Sequence, residues 1–100
     1  MANGLRAALQ QRLADGAWHR VDALAVAVGG VIRPESAVRH YRRHGGKRDV
    51  PLAVQVLTGR RWMVSLALRR LGCERWPPGW PRLDEARVRW PASAEGGSDG

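Results

Sequence analysis

One hundred residues are enough for a single domain with one modest core, and 17 Lys and Arg against 9 Asp and Glu leave a formal net charge of +8. That balance favours a polyanionic partner, nucleic acid ahead of an anionic membrane surface. No apolar run reaches signal-peptide or membrane-spanning length, and the single Cys73 has no internal partner for a disulfide. The expectation is a cytoplasmic protein without membrane attachment.

In chain order, Asn3 is placed to cap a first helix in which Leu5, Leu9 and Leu13 fall on one stripe. Asp15-Gly16 ends it, glycine being the natural left-handed stop. Ala17 to Arg20 reads as a brief strand. Asp22 then caps a short helix from Ala23 to Val28, with Val21 stapling its start and Gly29-Gly30 stopping it. Arg33-Pro34-Glu35 is a helix entry, and the helix runs to about His44 with Ala37, Val38 and Tyr41 inward and Arg39 and Arg43 outward. His44 to Arg48 is a basic loop. Pro51 to Leu57 reads as another short helix, Thr58-Gly59 as a break, and Gly59 to Leu71 as a further helix stopped by Gly72. On this last helix Val64, Ala67, Leu68 and Leu71 gather on one side, with Thr58, Trp62, Ser65 and Arg69 opposite. Cys73–Trp76 and Ala86–Trp90 are strand-like and flank a turn-rich tip, Pro77 to Arg82, forming a hairpin. From Ala92 onward nothing is large enough to bury. The expected organisation is one domain over 1–91 and a disordered tail over 92–100.

Charge is unevenly spread along this plan. Residues 33–75 hold eleven bases against three acids; residues 1–32 hold three against two, and residues 76–100 three against four. The middle third therefore carries the net charge, and clustering of this kind points to a binding face.

A helix, a short strand, further helices, a basic helix and then a hairpin is the order a winged helix-turn-helix requires. The stretch Asp15-Gly-Ala-Trp-His-Arg-Val-Asp-Ala-Leu-Ala25 resembles the "D-G-x-W-H" strand entry of winged-helix proteins. Ile32-Arg-Pro-Glu-Ser-Ala-Val-Arg-His-Tyr-Arg-Arg43 and Gly59 to Leu71 are similar to small winged helix-turn-helix proteins of actinobacteria and their phages. The resemblance implies a mainly α fold with a small β-hairpin, and this chain adds a helical segment, 34–57, ahead of the helix that leads into the wing. It also implies sequence-specific binding of double-stranded DNA, as a transcriptional regulator or accessory protein.

On that reading 59–71 is the recognition helix and 73–90 the wing. Thr58, Trp62 and Ser65 face base edges or sugars, or Trp62 buries against another helix or a second subunit, and Arg60, Arg61, Arg69 and Arg70 supply contacts along the same helix. Arg39, Arg43, Lys47 and Arg48 reach phosphates, unless the helix at 34–44 is itself the reader. Arg75, Trp80 and Arg82 belong to the wing. A different class stays open: a structural or protein-interaction module, in which Trp62, Trp76, Trp80 and Trp90 form an interface with a protein partner or a second copy. His40 and His44 with Cys73 or His19 lack the paired spacing of a zinc site. No phosphate loop or activated nucleophile is present, so the expectation is a non-enzyme without metal or cofactor.

Overall fold

The computed structural model describes residues 2–77 and 86–91. Among them the chain is mainly helical, with a small three-stranded antiparallel sheet. Helix α1 (Ala2–Leu13) presents the expected leucine stripe: Leu5, Leu9 and Leu13 are buried, and Gly16 closes the helix with a positive φ of 71° and an N–H donated to the Leu13 carbonyl. Strand β1 is only His19–Arg20, shorter than the expected 17–20. Helix α2 (Val21–Val28) and a 3-10 turn (Gly29–Val31) follow, then α3 (Pro34–Arg43), α4 (Leu52–Arg70), β2 (Glu74–Trp76) and β3 (Arg87–Arg89). The middle strand is β3: Val88 pairs with His19 on one side and Arg75 on the other.

Two expected caps are corrected. Helix α1 begins at Ala2, so Asn3 lies inside the helix rather than ahead of it. Helix α2 begins at Val21, so Asp22 sits in its first turn, where its carboxylate accepts from the Ala23 N–H at 2.7 Å and pairs with Arg20 at 3.0 Å. The chain enters α2 by another tie, the Val21 N–H donating to the Ala86 carbonyl at 3.0 Å. The helix is thereby fixed to the sheet.

The larger correction concerns Thr58-Gly59, read as a break between two helices. Helix α4 runs through it without interruption for 19 residues. Gly59 is buried, and a Cβ there would overlap the backbone carbonyl of Ala37. The glycine is a point of close approach between α3 and α4. Its propensity cost inside a helix, about 1 kcal/mol, is offset by tertiary packing.

One core joins α1, α2, the second half of α4 and the sheet. Leu9, Leu13, Val21, Val64, Leu68 and Val88 are its largest fully buried side chains. Each such burial contributes roughly 1.5–3 kcal/mol. Helix α3 and the first half of α4 pack chiefly on each other. Residues 78–85, where most of the hairpin tip was expected, and 92–100, expected as a tail, lie outside the described residues. Among the described residues no helix is long and apolar enough to cross a membrane.

The same substitution should act in opposite directions at two glycines. Gly59→Ala forces the helices apart and should cost about 1–3 kcal/mol in urea unfolding, despite alanine's better propensity. Gly4→Ala, where nothing lies within 4 Å, should stabilise by about 0.5–1 kcal/mol. Equal effects at the two sites would show that Gly59 is not a packing glycine.

Candidate nucleic-acid interface

Adjacent arginines on α4 have different fates, because successive helical positions point about 100° apart. Arg60 turns inward: its Nε and Nη2 donate to the Ile32 carbonyl at 3.1 and 2.8 Å. That forked contact closes the segment between the 3-10 turn and α3. Arg61 points the other way, toward α2. With Arg20, Asp22, Ala23 and Val26 it borders a shallow depression of about 250 Å³, and its Nε is buried without a hydrogen-bond partner.

Four and eight residues on from Arg61, on the same stripe, stand half-buried Ser65 and exposed Arg69. Arg69 lies close enough to Arg75 of β2 for its charge to matter. The Arg75 guanidinium is held below the usual arginine range, first by burial and then by Arg69. The acid beside it, Glu74, is engaged elsewhere, its carboxylate accepting from Arg89 Nε at 2.7 Å. Arg89 also lies over the Trp18 ring at 4.6 Å. At the loop before β1, Asp15 Oδ1 accepts from the Ala17 N–H and is hydrogen-bonded to the His19 ring. Its hydrogen bond with His19, with help from Ala17, holds the Asp15 carboxyl below its ordinary value.

Of the other expected base-facing residues, Trp62 is covered by α3. Trp62 stacks on Tyr41 of α3, ring centroids 5.1 Å apart, and the Tyr41 hydroxyl donates to the Lys47 carbonyl at 2.8 Å. Thr58 is half-buried. Of the alternatives open for Trp62, packing against another helix is the one observed.

Arg39, Arg43, Lys47 and Arg48 are exposed, and none has an ion-pair partner among the described residues. Arg39, Arg43 and Arg48 rim a groove between α3 and α4 rather than standing beside the Arg61–Ser65–Arg69 stripe. The groove's position depends on Gln55, a buried amide for which the sequence carried no signal. Gln55 accepts from Arg42 Nε at 3.0 Å and donates to the Val50 and Arg48 carbonyls at 3.1 and 3.4 Å. Arg70 is exposed at the end of α4 and Trp76 at the end of β2. Trp90 packs half-buried against the core. Trp80 and Arg82, assigned to the wing, lie outside the described residues.

His40 and His44 stack at 4.1 Å, and burial, with the charges of His44 and Arg43, lowers the His40 pKa. Among the described residues no group of three His, Cys, Asp or Glu side chains could hold a metal ion. The chain matches no protein-family model, no curated protein and no solved structure.

Arg60→Ala removes a charge-assisted contact and strands the Ile32 carbonyl; it should cost about 1–3 kcal/mol of stability. Arg70→Ala, at an exposed position, should change stability by less than about 0.5 kcal/mol. Chemical denaturation of both variants checks the division between structural and surface arginines. Burial pushes the Cys73 thiol up to about 11 from an ordinary 9.0. Its alkylation by iodoacetamide at mildly alkaline pH should therefore be slow in the folded protein and fast in denaturant. The thiol's contribution to stability is fully present below pH 9.0 and lost as pH rises toward about 11, because the unfolded chain ionises first. A Cys73→Ala variant should lack that alkaline decline.

Proposed function

We propose that this chain is a winged helix-turn-helix that binds double-stranded DNA as a non-enzymatic regulator or accessory protein. The observation that carries the reading is the Arg61–Ser65–Arg69 stripe of α4, at the end of which Arg69 stands exposed. Arg69 is long enough to reach a guanine edge bidentately. The order of elements supports the reading, since the antiparallel pair β2 and β3 follows the second half of α4. The packing of α1, α2 and that half of α4 around one core supports it also.

In this arrangement the second half of α4 enters the major groove, and α2 lies beside it at the Arg61 depression. Lys47 and Arg70 reach phosphates, and β2–β3 runs along the neighbouring backbone. Residues 34–57 are the inserted segment: α3 packs on α4 at Gly59, and residues 52–57 continue directly into the recognition helix. One face of Trp62 is taken up by Tyr41, which narrows the surface that α4 offers to bases.

The test begins with DNA fragments selected from a random pool by the full chain. Against a selected site, the binding constant should fall steeply with salt, as expected for several released counterions. Arg69→Ala should cost about 1–3 kcal/mol on that site and little on a scrambled one. Lys47→Ala should weaken both alike and reduce the salt slope by about one. A binding constant that barely moves with salt, or an Arg69→Ala variant that keeps full discrimination, would overturn the proposal.

A further inference from the structure

The groove between α3 and the first half of α4 has about 630 Å³ of volume. Its floor is apolar, formed by Pro34, Val38, Leu52 and Val56, and its rim is basic: Arg39, Arg42, Arg43 and Arg48, against the single acid Glu35. Leu52 is 61% exposed. A large apolar side chain open to water on an apolar floor with a charged rim marks a surface that is covered in use.

The two properties together select the occupant. Duplex DNA satisfies the arginines but offers nothing apolar to Val38, Leu52 and Val56. A second copy of the chain brings the same arginines to the rim and meets like charge. A purely apolar partner leaves the guanidinium groups desolvated without an acceptor. We infer that the α3–α4 groove docks an acidic amphipathic helix of a protein partner, with apolar side chains on the floor and carboxylates on the arginine rim. Arg42 lines the groove with its Nε held by Gln55. The mode is helix-in-groove recognition with the charge supplied by the receptor. It stands without the DNA reading, which uses a different part of α4.

The test uses a labelled synthetic helical peptide with Glu on one face and Leu at i, i+3, i+4 and i+7 on the other, titrated with the full chain. Saturable binding is expected. It should weaken about ten-fold in Arg43→Glu/Arg48→Glu and recover when the peptide's Glu residues are exchanged for Lys. Leu52→Ser, uncharged and at an exposed position, should weaken the peptide roughly three-fold while leaving melting temperature and duplex DNA binding unchanged. Several results overturn the inference. One is equal binding of a peptide of the same composition with its leucines scattered, which reduces the effect to charge attraction. Another is a dimer in sedimentation that Leu52→Ser dissociates, which gives the groove to a second copy. A third is duplex DNA losing as much affinity as the peptide in Leu52→Ser, which gives it to nucleic acid.

Discussion

The contact of the Ala37 carbonyl with the backbone of Gly59 sets the rest of this structure. Any side chain at Gly59 holds α3 away from α4, and the neighbouring contacts depend on that closeness. On one side of the crossing Trp62 reaches Tyr41, and Tyr41 in turn clasps the loop at Lys47. On the other side Gln55 reaches Arg42 and the Arg48 and Val50 carbonyls. A single close approach therefore removes one tryptophan from the free surface and shapes an arginine-rimmed groove. Backbone against backbone also has few alternative packings, because no rotamer can absorb a change there.

Wherever periodicity controls structure, the sequence was readable. The leucine stripe of α1, the glycine stop at Gly16, the start of α3 at Pro34 and its inward Ala37 and Tyr41 follow from spacing and cap chemistry. Glycine at 59 was not readable, since glycine serves both a left-handed stop and a close helix crossing. Only the identity of the neighbour separates the two uses, and Ala37 is 22 positions away. Arg60 and Arg61 illustrate the same limit. They share one chemistry and adjacent positions, yet one is turned onto the Ile32 carbonyl and the other lies beside α2. Gln55 looked like one more polar residue in an apolar run, and three hydrogen bonds to distant groups explain its burial.

Electrostatics follow from how the few acids are used. Asp15, Asp22 and Glu74 are each engaged near the sheet, by His19, Arg20 and Arg89. Between Arg33 and Arg70 stand ten bases and only Glu35 and Asp49 as acids. Neutralisation at one end leaves the other end with its field intact. Because arginine keeps its proton throughout the physiological range, that field responds to ionic strength far more than to pH.

Two anion-favouring surfaces on one unbroken helix raise the question of whether occupancy of one disturbs the other. The answer depends on distance. At about 1.5 Å per residue, Leu52 and Arg69 are separated by about 25 Å along α4. The screening length at physiological salt is about 8 Å, so an acidic helix in the groove contributes little repulsion at the Arg69 end. Mechanical coupling has a route through the crossing at Gly59, which lies between them. Anything that shifts α3 on α4 also moves Tyr41 against Trp62, about two turns before the Arg61–Ser65–Arg69 stripe ends. Charge thus separates the two surfaces, and packing at a single glycine is what joins them.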